Sequence, residues 1–236
     1  MRLFCPPRTG AQSAGLTAKD AGAAGYNVPS HGPSPMTPMR SPRGSATPAA
    51  AALRRAAPPL DRRGRLRSAQ RIASPNHDAR PPDTAITLIV VHGISLPPGR
   101  FGGDDIARLF TNRLDPAAHP SYAAIAPLRV SAHFLIRRNG ALIQFVDCAK
   151  RAWHAGVSSW RGRPRCNDFS IGIELEGTDT RPYTARQYAR LARLVQALRH
   201  RYPIADVVGH SDVAPGRKTD PGAAFDWSRL HALLAA

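Results

Sequence analysis

Apolar and polar positions become patterned only in the second part of the chain. Ile86-Thr87-Leu88-Ile89-Val90-Val91 is a continuous run rich in β-branched residues, which predicts a buried central strand ending at His92. From Gly103 to Arg113, Ile106, Leu109 and Phe110 recur at helical spacing, and Asp104 and Asp105 suit the positive end of a helix dipole. Val130 to Arg137 and Leu142 to Val146 read as two strands joined at Asn139-Gly140, a tight-hairpin signal. Phe169 to Leu175 reads as a further strand. The strongest helix follows: Thr184 and Gln187 have capping-box spacing, Tyr188, Leu191, Val195 and Leu198 form an apolar stripe, and Tyr202-Pro203 closes it. Val207-Val208 is a short strand leading to His210, and Phe225 to Leu234 a terminal helix. Strands and helices alternate around one central sheet, so the class is α/β or α+β, and no repeat is visible.

Composition divides the chain differently. Of 236 residues, the first 82 hold 13 of the 23 prolines and 13 Lys+Arg against 3 acidic residues. That is +10 of a formal net charge of +17, placed in the third least able to bury a core. Residues 1–65 therefore read as a disordered Pro/Ala/Arg-rich basic tail, and residues 66–236 as one folded domain. A chain started at Arg62 is expected to keep the fold and its activity, and Met36 or Met39 offers an alternative start. The basic runs Leu53-Arg54-Arg55 and Asp61 to Arg67 lack the interleaved aromatics that stack on bases, so they read as a solvated tail without a nucleic-acid partner. No segment approaches the roughly 18 apolar residues of a membrane helix, and Met1 to Pro7 is not followed by the apolar run of a secretory leader. Cys5, Cys148 and Cys166 are odd in number and widely spaced, which fits a reducing compartment. A cytoplasmic location, no membrane partner and a monomer are expected.

Candidate chemistry sits at the ends of the predicted elements. His92 follows the first core strand, His210 the last short strand, and Asp220 lies ten residues further on. Hydrolytic zinc commonly takes three protein ligands from histidine and carboxylate and keeps a fourth position open. With nine histidines in the chain, this spacing permits such a site without demanding it. Structural histidines, solvated strand-end carboxylates at Glu174 and Glu176, and a loop cation at Lys218 remain the alternative reading of the residues alone.

Five separated blocks narrow the choice. They are Val91-His92-Gly93-Ile94-Ser95-Leu96-Pro97-Pro98-Gly99, Ser131-Ala132-His133, Arg151-Ala152-Trp153-His154-Ala155-Gly156, Cys166 to Gly177 (with Ile171-Gly172-Ile173-Glu174-Leu175-Glu176) and Gly209 to Gly222 (with Gly209-His210-Ser211-Asp212 and Arg217-Lys218-Thr219-Asp220-Pro221-Gly222). In this order, from about Leu66 to Leu230, they resemble the AmpD family, cytoplasmic zinc amidases that cleave anhydro-N-acetylmuramoyl peptides in cell-wall recycling. The resemblance implies a central mixed sheet flanked by helices, as in phage-type amidases and peptidoglycan recognition proteins. It also implies Zn2+ held by His92, His210 and Asp220, with Glu174 and Lys218 catalytic. Related amidases of this fold carry cysteine as the third ligand, so Asp220 fits the AmpD branch.

The assigned roles suit amide hydrolysis, which needs a base for water, an acid for the leaving amine and positive charge at the oxyanion. Arg129 and Arg165 resemble positions that hold substrate carboxylates, which a guanidinium can grip in a bidentate pair. Trp153 and His154 are expected to line the cleft, His133 to be structural, and Cys166 to be a small buried hydrophobe. One departure stands out: many family members carry asparagine where this chain has Gly93, so a side-chain contact that tunes substrate preference is missing. Rival readings are a non-catalytic peptidoglycan-binding module and an amidase acting on periplasmic peptidoglycan. The tail offers a third, nucleic-acid binding, which predicts salt-sensitive DNA retention lost with residues 1–60.

Overall fold

The computed structural model describes residues 60–236, and expectations for residues 1–59 lie outside them. A six-stranded sheet organises this part of the chain. Its strands are β1 (Gln70–Arg71), β3 (Leu88–Ile94), β4 (Phe134–Ile136), β5 (Leu142–Gln144), β9 (Ser170–Glu176) and β10 (Asp206–Gly209). Their order is β1-β5-β4-β9-β3-β10, and only β4 and β5 run antiparallel. The sheet is mixed, as the resemblance implies. Among the described residues, β2 (His77–Ala79) pairs with β6 (Lys150–Ala152), and β7 (Ser159–Trp160) with β8 (Arg163–Pro164). The hairpin turn falls at Asn139-Gly140, where Gly140 has φ +83° and the Asn139 carboxamide accepts from Ala141 N. No described helix is long and apolar enough to cross a membrane.

Alternation along β3 sends its side chains to two different environments. Ile89 and Val91 join Ile171 and Ile173 of β9 against the long helix α2 (Ala185–Arg201) and the terminal helix α4 (Trp227–Ala235). The α2 apolar stripe predicted above is buried here, and Thr184 and Gln187 make the capping box in both directions. Gln187 is fully buried, and its amide also donates to the carbonyls of Ile136 and Glu176, tying the helix start to the sheet. On the opposite face, Leu88 and Val90 pack with Phe169 and Cys166, whereas Ile94 packs with the short helix α1 (Asp105–Phe110). His92 lies between those two apolar patches.

Three expectations shift. The first core strand does not end at His92 but runs to Ile94, because β9 continues far enough to pair Ile94 with Glu176. The helix expected from Gly103 to Arg113 shortens to α1, since Gly102, Gly103 and Asn112 all have positive φ. The folded part also begins earlier than residue 66: Leu60 bridges Leu66, Asp61 accepts from Arg63 N and Arg65 N, and Gly64 O accepts from the buried Gln144 amide. Composition grouped these residues with the tail because Arg62, Arg63 and Arg65 dominate the count, yet the Arg65 side chain itself pairs with Asp147 at 3.0 Å.

Candidate metal and catalytic centre

Register builds the centre. In the parallel pair β3–β10, Val91 lies opposite Gly209, so the next residues, His92 and His210, come side by side. In the parallel pair β3–β9, His92 lies opposite Glu174, so both side chains leave the same face. His210 opens the short helix α3 (His210–Val213), and the loop after it returns Asp220, whose carbonyl accepts from Ser211 N at 2.9 Å. The group thus gathers at the carboxyl ends of three parallel strands, where open α/β sheets place ligands.

His92 Nδ1, His210 Nδ1 and Asp220 Oδ2 form a triangle with edges of 3.0, 3.1 and 3.2 Å. Donor atoms about 2.0–2.1 Å from one tetrahedral ion stand about 3.3 Å apart, so the triangle has the size of a zinc face. His210 Nε2 lies 3.2 Å from the carbonyl of Ala155, which can only accept. In a neutral ring the proton is therefore on Nε2, and the Nδ1 lone pair points at a carboxylate oxygen. A cation between them removes that repulsion. Burial first, and then the neighbouring His210, lowers the pKa of His92 to about 4, which keeps it in the neutral form a metal ligand requires. For Asp220 burial acts upward, but the contacts with His210 and His92 outweigh it and hold its pKa below the ordinary carboxylate range. Among the described residues, this is the one group of three such side chains with metal-site spacing.

Glu174 is buried beside the triangle, and its Oε2 has no hydrogen-bond partner among the described residues. Burial raises its pKa well above the ordinary carboxylate value, Asp220 adds to the rise, and Lys218 opposes it. Lys218 follows α3 two residues before Asp220, and burial lowers its pKa. Its loop is pinned by Arg217, which donates to the carbonyls of Ala155 and Val157 at 2.7 and 2.6 Å. The next turn depends on glycine: Gly222 has φ +85°, and a Cβ there would lie 2.1 Å from the Asp179 backbone. Gly222→Ala is therefore expected to cost about 2–4 kcal/mol, from backbone strain and overpacking together. Urea unfolding checks this, and a loss under about 0.5 kcal/mol, the range of a neutral surface change, contradicts it.

A cleft of about 790 Å³ opens over the triangle. His92, Glu174, His210, Lys218 and Asp220 form its polar floor, while Leu109, Phe110, Ile125, Leu128, Val130 and Trp153 form an apolar wall. Leu109 and Phe110 come from α1, Trp153 from just past β6, and Ile125 and Leu128 from the turn-rich segment after α1, to which the sequence assigns no element. Its signal was Leu114, Tyr122, Ile125 and Leu128, an apolar series too irregular for a period. His154 also lines the cleft, but both ring nitrogens are engaged, Nδ1 at 3.0 Å from His92 Nε2 and Nε2 at 3.2 Å from Ser170 Oγ. Arg129 is exposed and donates to Pro127 O, and Arg165 is exposed and paired with Asp168 at 3.1 Å. Neither lines the cleft.

His133 is buried, with Nδ1 accepting from Gly172 N and Nε2 facing Lys150 O, a structural role. Cys166 is buried and free, and burial raises its thiol pKa, opposite to what a nucleophile needs. The place of the missing Gly93 side chain is taken from behind: a Cβ there would lie 2.4 Å from the Tyr183 hydroxyl, which donates to Pro221 O.

Residues 82–223 match the family model described as N-acetylmuramoyl-L-alanine amidase. The chain belongs to that family. The amidase is 62% identical over 173 residues to the 1,6-anhydro-N-acetylmuramyl-L-alanine amidase AmpD of Enterobacter cloacae, covering 72% of this chain and 92% of that protein. Among solved structures, a selenomethionine AmpD crystal structure is 60% identical with a TM-score of 0.72, over 73% of this chain and 97% of that one. The solution structure of Citrobacter freundii AmpD is 61% identical with a TM-score of 0.54, over 72% and 91% respectively.

Proposed function

We propose that this amidase hydrolyses the amide bond between the lactyl group of 1,6-anhydro-N-acetylmuramic acid and L-alanine, as a zinc enzyme of cell-wall recycling. One observation carries the reading: three convergent ligand atoms lie at the floor of a half-apolar cleft, beside a buried carboxylate with an unused oxygen. His92, His210 and Asp220 would hold the ion, and their 3.0–3.2 Å spacing fits it. When bound, zinc supplies a Lewis acid that acidifies water and polarises a carbonyl.

The remaining chemistry falls to the chain. Glu174 takes the proton of the attacking water and delivers it to the departing amine of L-alanine, and its raised pKa suits both transfers near neutral pH. Lys218 offsets the negative charge that grows on the carbonyl oxygen. The apolar wall with Trp153 receives the sugar ring. Arg129 and Arg165 are the proposed carboxylate-binding residues. Leu128 and Val130 in the wall support Arg129, while Arg165 has to exchange Asp168 for substrate. A cytoplasmic location is supported by the free thiols Cys148 and Cys166. The ligands and catalytic groups all come from one chain, so the proposed chemistry needs no second subunit.

The direct test offers zinc-loaded enzyme an anhydro-muramoyl tripeptide and intact sacculi side by side, with products identified by mass. Rapid release of a tripeptide starting with L-alanine from the anhydro substrate is expected. Faster release from sacculi points instead to a periplasmic-type amidase. No release from either, with zinc bound, points to a binding module.

A further inference from the structure

The two histidines of the triangle are not held alike. His210 Nε2 faces a carbonyl, which fixes its proton and turns the Nδ1 lone pair toward the site. His92 Nε2 faces another imidazole, His154 Nδ1, at 3.0 Å, and an imidazole nitrogen can either give or take a proton. A cation in the triangle takes the Nδ1 lone pair of His92, which faces Asp220 Oδ2 at 3.2 Å, so the proton of His92 belongs on Nε2 and the group placed to accept it is His154 Nδ1.

Further contacts hold the His154 ring and its backbone. Its Nε2 lies 3.2 Å from Ser170 Oγ, at the start of β9 and fully buried. One ring face lies on the backbone of β9 at Gly172, where a Cβ would come within 2.4 Å of the ring carbons. The backbone N–H groups of His154 and Ala155 both donate to the Asn167 side-chain oxygen, at 3.2 and 2.8 Å. Ser170 is itself anchored, its carbonyl accepting from the half-buried Arg80 guanidinium at 2.8 Å. A ring fixed at both nitrogens, on one face and at its own backbone has little freedom left to follow a substrate.

We propose that His154 is a positioning residue for the metal: it accepts the Nε2 proton of His92 and gives its own Nε2 proton to Ser170, so that the Nδ1 lone pair of His92 faces the ion. The inference rests on the zinc reading of the triangle. Partners in the layer behind the ligands commonly account for 10- to 100-fold in metal affinity. A residue that contacts substrate instead moves KM or turnover and leaves the affinity for zinc unchanged.

The test measures zinc affinity of the full chain by competition with a chromogenic chelator, using zinc alone as the probe. His154→Leu removes the acceptor and is expected to weaken zinc binding about 10- to 100-fold. His154→Asn, whose amide oxygen can take the Nδ1 place, is expected to recover most of that loss. Nitrogen-15 histidine NMR of the zinc-loaded wild type is expected to show His92 and His154 both protonated on Nε2. It reads the tautomers without any substitution, should His154→Leu fail to fold. Wild-type zinc affinity in a folded His154→Leu protein, or a proton on His154 Nδ1 in the loaded wild type, overturns the proposal. Failure of the wild type itself to bind zinc overturns the reading beneath it.

Discussion

His210→Ala is expected to remove both tight zinc binding and turnover from this amidase while leaving its sheet intact. The substitution takes away one of three donors, and a site with two donors no longer closes a face of the tetrahedron. Loss of a partner behind the ligands costs up to about 100-fold in metal affinity, so loss of a ligand is expected to exceed that figure. The fold has reason to survive. His210 sits at the first position of the four-residue helix α3, and the strand before it keeps its backbone pairing through Val207 and Val208 to β3. Its side chain donates one internal hydrogen bond, to Ala155 O, an interaction worth about 1 kcal/mol net. Zinc stoichiometry by elemental analysis and an activity assay check the two losses, and circular dichroism checks the fold. Chelation of the wild type is expected to have the same effect on activity, reversed by zinc. Full turnover in exhaustively demetallated enzyme would rule out the metal reading altogether.

How this centre forms also explains how much of it the sequence carried. The long elements were legible because each is fixed locally. The β-branched run of β3, the capping box and stripe of α2 and the Asn139-Gly140 turn all specify their own conformation. The ends of these elements were not, because partners set them: β3 reaches Ile94 only through β9. Strands as short as β1 and β2 have no period to detect, and backbone pairing alone defines them.

The site follows the same division. His92 and His210 are 118 positions apart, and what unites them is the register Val91 to Gly209 in a parallel pair. Nothing local encodes that register, so residue spacing could only permit the triangle, and the resemblance had to supply it. The apolar wall was missed for a related reason: Ile125 and Leu128 come from consecutive turns. For His154 the sequence supplied its place in the cleft, but the engagement of both ring nitrogens depends on Ser170 and His92, each from another strand.

Glu174 and Lys218 are expected to separate catalysis from metal binding. Neither belongs to the ligand triangle, so Glu174→Ala and Lys218→Ala should each retain about one zinc per chain, the single-site stoichiometry. Lys218 acts on charge that exists only in the transition state. Its loss is expected to lower kcat about 100-fold or more with little change in KM, as removal of an oxyanion donor does. Glu174 acts through its proton, so Glu174→Gln, which keeps the shape, should be nearly as impaired as Glu174→Ala. The pH profile carries the sign. Water activation needs the ionised carboxylate, and activity falls as pH drops through its pKa. Burial followed by the charge of Asp220 raises that pKa, which places the acid limb above the ordinary carboxylate range. Residual activity of Glu174→Gln should lack this limb. A fully active Glu174→Gln enzyme would assign the proton transfer to solvent or another group. A Lys218→Ala protein that has lost zinc together with turnover would make Lys218 an organiser of the Asp220 loop, and the division of roles would fail.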